Sequence, residues 1–261
     1  MSSQTIKELI ERKSVRVFTG ERIPPEQKAL ILKAAVNAPT AGCQQLYTII
    51  DVTDEALKEK LSVTCDNQPF IVKADMVLVF CADCKKWYEG YLDTGCDPRL
   101  PGEGDLLLAV TDAAIAAQNA VTAAWSLGIG SCYIGDVMEN CEEQRKLLKL
   151  PAYVFPAAMV VFGYPTKQQM EREKPKRAAL EYIVSENGYP EQTAQNRADM
   201  FFESRGMTGT MKKEGSISAG LDREYQAWMQ AFCKRKYNSD FSKEMTRSVR
   251  EYLKDYSEKE D

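Results

Sequence analysis

The 261-residue chain predicts a single domain in which helices cover both faces of a central sheet. A chain of this length with 44% hydrophobic residues can bury a substantial core and lies within the range of one large domain. Met76–Cys81 and Ala157–Phe162 are unbroken apolar runs of strand length, the pattern of mid-sheet strands buried on both faces. Between them, Thr111–Leu127 is rich in alanine and apolar nearly all the way round, as a buried helix is.

The elements follow in order. Thr5–Arg12 puts Ile6, Leu9 and Ile10 at helical spacing. Pro24 and Pro25 suit a first turn, and the helix they open runs through Val36 and stops before Pro39, because the residue preceding proline is driven out of the helical region. Leu46–Val52 reads as a strand, and Asp54 caps a helix over Glu55–Leu61. The small side chains of Thr111–Leu127 permit close approach of another helix, so this element is either a dimer axis or the core helix of a monomer. Tyr88–Gly104, with its glycines, prolines and scattered charge, reads as a long excursion or lid. After Gly188-Tyr-Pro190 the chain turns strongly charged, with amphipathic helices over Ala194–Ser204, Leu221–Cys233 and Lys243–Tyr256.

Composition excludes several functions. A formal net charge of -4 gives no global attraction for nucleic acid or an anionic membrane. No apolar run approaches the roughly 20 residues that span a bilayer, and the polar opening Met1-Ser-Ser-Gln4 lacks the apolar stretch of a signal peptide, so a cytoplasmic location is expected. Eight cysteines scattered through a chain of this size read as reduced thiols. Cys81-Ala-Asp-Cys84 is either a redox or metal pair or a strand end that carries two cysteines. The chain contains no histidine, which removes the Ser-His-Asp triad, the Cys-His pair and histidine-based metal sites together. No metal is expected, and the reactive group of an enzyme built this way is borrowed from a cofactor.

Four segments carry candidate chemistry. Arg12-Lys-Ser-Val-Arg16 sets three cations and a hydroxyl after the first helix, either to complement its dipole or to cradle an anion. Pro39-Thr-Ala-Gly-Cys-Gln-Gln45 is a loop through which backbone can approach a ligand, or a plain helix-to-strand turn. Gly128-Ile-Gly-Ser-Cys-Tyr-Ile-Gly135 joins a helix to a strand, the reverse of the dinucleotide-binding order, and its end can present backbone to a flat ring. Phe162-Gly-Tyr-Pro165 leads into Lys167, Arg172, Lys174, Lys176 and Arg177, either a solvated linker or a cationic flap over a phosphate.

Taken together and in this order, the segments resemble the nitroreductase flavoprotein family. Arg12-x-Ser14-x-Arg16 looks like its FMN signature, Ala38–Gln45 resembles the loop given by the partner subunit, and Asn67-Gln-Pro-Phe70 is similar to the segment along the isoalloxazine edge. Gly128–Gly135 and Gly163–Lys176 complete a likeness over most of residues 5–188, and Phe202-Glu-Ser-Arg-Gly206 resembles the branch of the major oxygen-insensitive nitroreductases and NADPH-flavin oxidoreductases. There are departures: Cys43 stands where related loops carry asparagine, Leu46-Tyr47 replaces a Pro-Trp pair, and Lys176 stands where arginine is usual, with Arg177 beside it.

The resemblance implies an α+β fold: a mixed, largely antiparallel sheet flanked by helices, in an intertwined homodimer with one FMN in each of two clefts. It implies an FMN-binding core over residues 1–190 and a helical C-terminal extension over 191–261 that packs on the dimer. Arg12, Lys13, Ser14 and Arg16 are expected at the phosphate, ribityl chain and pyrimidine edge, with Lys13 or Arg16 as the cation near flavin N1 and O2. Thr40 and Ala41 would come from the partner, Gln68 would meet the ring edge, Tyr133, Ile134 and Gly135 its face, and Lys174 and Lys176 the phosphate. No side chain is expected to do the covalent chemistry, which belongs to flavin N5. The implied activity is two-electron ping-pong transfer from NADPH or NADH to nitroaromatics, quinones or free flavins. Arg205, Lys212 and Lys213 are candidates for the nicotinamide 2′-phosphate. Two alternatives remain at this level: a related flavoenzyme that fragments flavin or removes halide, and a non-catalytic flavin-binding redox sensor using Cys81 and Cys84.

Overall fold

The computed structural model describes residues 3–205 and 223–257, without the side chains of Arg205, Arg223 and Glu224. It comprises two compact units, Met1–Arg172 with Lys243–Asp261, and Glu173–Ser242.

The first unit is built on β1 (Tyr47–Asp51), β2 (Met76–Asp83), β3 (Gly130–Ile134) and β4 (Val154–Gly163), in the spatial order β1-β2-β4-β3. Each neighbouring pair runs antiparallel, and a parallel bridge joins Ser14 to Ser131. The two apolar runs are the central strands, and every residue of β2 is buried. Side chains alternate across a strand, so Met76, Leu78 and Phe80 enter one core with Val160 and Phe162. Val77, Val79 and Cys81 enter the other with Met159 and Val161. Opposite Pro156, which has no N–H for the ladder, the register slips between Phe80 and Cys81.

The helices of this unit are α1 (Gln4–Glu11), α2 (Pro25–Val36), α3 (Glu55–Thr64), α4 (Lys85–Asp93), α5 (Glu103–Ser126), α6 (Cys141–Leu148) and α7 (Lys167–Glu171). The proline start and the stop at Val36 are as expected for α2. Asp54 caps α3 by accepting from Ala56 N at 2.8 Å. Ala113, Ala116, Ala117, Ala120 and Ala124 turn one stripe of α5 into the core that α2 shares, their small side chains allowing close approach.

Three expectations need correction. The Tyr88–Gly104 excursion is partly helical, since α4 reaches Asp93 and α5 begins at Glu103, which leaves the loop over 94–102. α5 begins at Glu103 rather than Thr111, because Asp105 accepts from Gly102 N at 2.9 Å and acidic residues favour a helix N-terminus. That added length makes α5 apolar and long enough, by composition alone, to cross a membrane, although no such run was expected. Its outer side is only partly covered in this chain: Leu107 is 68% exposed, and Ile6, Leu9 and Ile10 of α1, which contacts α5, are exposed as well.

The second unit contains α8 (Ala194–Arg205) and α9 (Arg223–Lys236), near the expected spans. Phe202 stacks on Tyr225 with ring centroids 5.1 Å apart. Most of α10 (Asp240–Leu253) belongs to the first unit, where Tyr252 and Tyr256 are buried in the core.

One buried carboxylate ties α5 to the segment before β1. Asp112, 3% exposed, accepts from Ala41 N at 3.0 Å and Leu46 N at 3.2 Å. Asp112→Ala leaves both donors unsatisfied and should cost about 1–3 kcal/mol in urea unfolding, with Asp112→Asn recovering part of the loss.

Candidate functional site

The site is organised by an extended segment lying against β3 and β4. Ser14 bridges Ser131, Phe18 bridges Pro165, and Val15 N donates to Ser131 O at 2.9 Å. Thr166 N donates to Val17 O at 3.3 Å and Thr19 N to Tyr164 O at 2.9 Å. The segment comes this close because two glycines leave room. A Cβ on Gly130 would stand 2.6 Å from Val15 Cγ2, and one on Gly163 would stand 2.7 Å from Phe18 Cδ1.

This seating explains the Arg-x-Ser-x-Arg spacing. Val15 is fully buried, so in extended chain its neighbours Ser14 and Arg16 face the other way, and Arg12 joins them by the same period of two. Burial of Arg12 Nε and Nη2 keeps that guanidinium away from bulk water. Both Arg12 and Arg16 bear on β3, each lowering the pKa of the Cys132 thiol against the larger upward push of burial. Burial likewise pushes the Tyr133 hydroxyl up to about 12, with Arg12 opposing it.

Lys13 points elsewhere: its ammonium donates to the carbonyl oxygens of Met170 and Arg172. Arg172 returns a bond to Ser14 O at 2.8 Å, and Arg16 N donates to Gln169 Oε1 at 3.3 Å, so α7 and its exit are strapped to the signature. On the other side the Arg16 guanidinium lies 5.9 Å from the centre of the Phe70 ring. Gln68, two residues earlier, donates to Asp136 Oδ2 at 2.9 Å and to Cys65 O at 2.8 Å. Arg12, Ser14, Arg16, Gln68, Tyr133, Ile134 and Gly135 therefore converge on the outer edge of β3, with Ile134 buried and Gly135 exposed, while the Lys13 ammonium is turned to α7.

Thr40 and Ala41 lie elsewhere. They precede β1, the opposite edge of the sheet, three strand spacings or roughly 14 Å away. They are also at the opposite end: Tyr47 aligns through Ala82 with Phe155, whereas Ser131, the bridge partner of Ser14, aligns with Phe162, roughly 23 Å farther along β4. The loop there is strained and over-determined. Gly42, Cys43 and Gln45 all have left-handed φ, of 55°, 56° and 51°. Besides Asp112, Trp87 Nε1 holds Gln44 O at 2.7 Å and Lys86 Nζ holds Gln45 O at 3.1 Å.

Lys174 and Lys176 belong to the second unit, Lys174 half-buried and Lys176 exposed. Arg177, also exposed there, donates to Pro175 O at 3.4 Å. Lys212, Lys213 and the Arg205 side chain lie outside the described residues.

Sequence reasoning missed Asp112, although a lone carboxylate in an apolar helix was the available signal. Asp136 carried none that separates it from ordinary loop polarity. The side chains of Cys65, Cys81, Cys84, Cys132 and Cys141 are buried free thiols. Burial pushes Cys81 and Cys84 up to about 12, with Asp83 adding to both. A thiol held protonated is a poor nucleophile and metal ligand, so the pair is core material at a strand end. Among the described residues no group of three His, Cys, Asp or Glu side chains is placed to hold a metal ion.

Comparison with known proteins gives the family. A model described as "Nitroreductase family" matches residues 9–164. The chain is 36% identical over 187 residues to the oxygen-insensitive NADPH nitroreductase of Salmonella typhimurium, covering 72% of this chain and 75% of that protein. It is 31% identical over 201 residues to the FMN reductase (NADPH) of Bacillus subtilis, covering 76% and 79%. Among solved structures, the hypothetical oxidoreductase YcnD from Bacillus subtilis superposes with a TM-score of 0.76 at 27% identity, over 98% of each chain.

Thiol labelling of native protein at pH 8, read by mass spectrometry, should modify the exposed Cys43, Cys96 and Cys233. Cys65, Cys81 and Cys84 should react only after unfolding, and fast modification of Cys81 or Cys84 would restore the redox reading.

Proposed function

The chain belongs to the nitroreductase family, and from that premise we propose that it is an FMN-dependent oxidoreductase carrying two electrons from NADPH or NADH to small acceptors such as nitroaromatics, quinones or free flavins. The names of its relatives, a nitroreductase and an FMN reductase, support the activity class. The observation that carries the reading is the pinned signature, where one extended segment turns Arg12, Ser14 and Arg16 to a single face beside the exposed backbone of Gly135. Cations and a hydroxyl on one side, open backbone on the other and a carboxamide at Gln68 fit a planar ring with an anionic tail.

Bound FMN supplies reversible two-electron acceptance at ring N5. The chain supplies binding and electrostatics. Of the two cations expected at the N1 and O2 edge, Lys13 is committed to the carbonyls of Met170 and Arg172 and acts as a strap. Arg16 is the group that stabilises negative charge on the pyrimidine side, held over Phe70. For the phosphate, the family resemblance names Lys174 and Lys176, with Arg177 next to them in sequence. The covalent step needs no histidine, because the side chains have only to hold and polarise the ring.

Two copies of the chain complete the site. The Thr40–Gln45 loop is held in a strained shape on the far corner of the sheet from Arg12–Arg16. A second protomer would bring that loop to the flavin face. Pairing would also cover Ile6, Leu9, Ile10 and Leu107, which one chain leaves exposed.

Purified protein should be yellow and oxidise NADPH faster when a nitroaromatic is added. Arg16→Ala should weaken FMN about tenfold to a hundredfold, the loss of a charge-assisted hydrogen bond of about 1.5–3 kcal/mol. Colourless protein that takes up no added FMN would refute the proposal. Light scattering should give a dimer, and a monomer with flavin fully bound would show that the Thr40 loop has no part in the site.

A further inference from the structure

Behind Gln68 stands a carboxyl pair that flavin binding alone does not require. The Gln68 amide nitrogen has spent both N–H groups, on Cys65 O at 2.8 Å and on Asp136 Oδ2 at 2.9 Å. A backbone carbonyl only accepts, so the orientation of the carboxamide follows from chemistry, and its oxygen is the end left for a ligand. The Asp136 carboxyl in turn stands within hydrogen-bonding reach of the carboxyl of Glu139, three residues along the same turn. Two carboxyls can form that bond only when one carries a proton.

Glu139 is the member suited to carry it. It is 3% exposed, and its Oε1 is buried with no partner, an expensive place for a carboxylate oxygen. The charges facing it are negative: Asp136 on its own turn, Asp66 beyond α3, and Glu244 on α10. Arg247, the cation on that side, is spent on Glu142 and Glu244 at 2.8 Å each. The Cys65 thiol, next to Gln68, is itself held protonated by burial, and β4 offers only uncharged side chains. Burial, then Asp136, Asp66 and Glu244, push the Glu139 carboxyl up to about 7.

We propose that Glu139 and Asp136 are positioning residues: the proton held on Glu139 fixes Asp136, Asp136 fixes the Gln68 carboxamide as an acceptor for an N–H of the flavin edge, and loss of that proton loosens the contact. The proposal rests on the reading of Gln68 as a flavin contact. Ionisation sends the proton to solvent and leaves two carboxylates in contact, which part and release the amide.

The test is flavin affinity against pH, followed by quenching of FMN fluorescence on stripped protein, for the unmodified chain, Glu139→Gln and Gln68→Ala. FMN's own phosphate titrates near 6 in all three and cancels in the ratios. Affinity of the unmodified chain should fall about tenfold as pH rises through 7 to 9, the scale of one linked proton. Glu139→Gln, whose amide can still donate to Asp136, should stay tight and flat, and Gln68→Ala should be weak and flat. Folding stability gives a second readout. The folded chain keeps a proton that the unfolded chain releases, so stability should fall from the ordinary carboxylate range up to about 7 and level off above it. Glu139→Gln should remove that slope. In the unmodified protein, the infrared band of a buried carboxylic acid should be present at pH 6 and lost at pH 9, whether or not the variant folds. A Glu139→Gln protein with the unmodified pH slope, or no such band, overturns the proposal while weak binding by Gln68→Ala keeps the flavin reading. Binding by Gln68→Ala as tight as in the unmodified chain overturns both.

Discussion

The functional edge of this protein depends on a close approach of backbone to side chain. Val15 sits on Gly130 and Phe18 on Gly163 with no space for a methyl group between them. Interiors are packed densely enough that a single added carbon must be accommodated by movement. Here the movement would lift the extended segment from β3, taking Arg12, Ser14 and Arg16 with it. The electrostatics of the site therefore rest on packing: three polar groups owe their common face to one buried valine and the glycine beneath it.

Much of this was legible from the chain alone, for physical reasons that can be named. Strands as apolar as Met76–Cys81 and Ala157–Phe162 have one stable place, the middle of a covered sheet, and both are found there. The proline start of α2 and the Asp54 cap on α3 are local effects, and local effects read well. The start of α5 read poorly because glycines at 102 and 104 and a nearby proline resemble a loop, while the decisive bond, Gly102 to Asp105, depends on a rotamer. The role of Lys13 was hidden for a related reason. Nothing in Arg12-Lys-Ser-Val-Arg16 distinguishes a lysine that faces a ligand from one that reaches to the carbonyls of α7, some 157 residues away in sequence. Asp136 was illegible because its partner Gln68 comes from a distant turn.

The two cores answer to different demands. The one shared by α2 and α5 is lined with alanine, and there the helices come close and little volume is left to adjust. The other gathers Cys81, Cys132 and Met159 from the sheet with Cys65 at the end of α3, Cys141 of α6 and Tyr252 of α10, softer and more varied side chains, and it lies behind the Gln68 turn. The acidic turn at Asp136–Asn140 is set into that second core and capped by α10, through Glu244 to Asn140 N at 3.1 Å and Ser248 to Cys141 N at 2.9 Å. The chain's last described helix thus stabilises a turn that lies against the site, although it contributes no candidate ligand contact of its own.

The diagonal placement of the Thr40 loop and the Arg12–Arg16 segment has a genetic corollary. On the proposed pairing, every centre is a composite of one gene product's loop and another's signature. Two alleles, one damaged in each part, would fail separately, yet when co-expressed they would assemble mixed pairs in which one of two centres is wholly intact. Such alleles would complement each other, whereas two lesions within the signature would not, so the geometry of a single sheet is written into the pattern of inheritance.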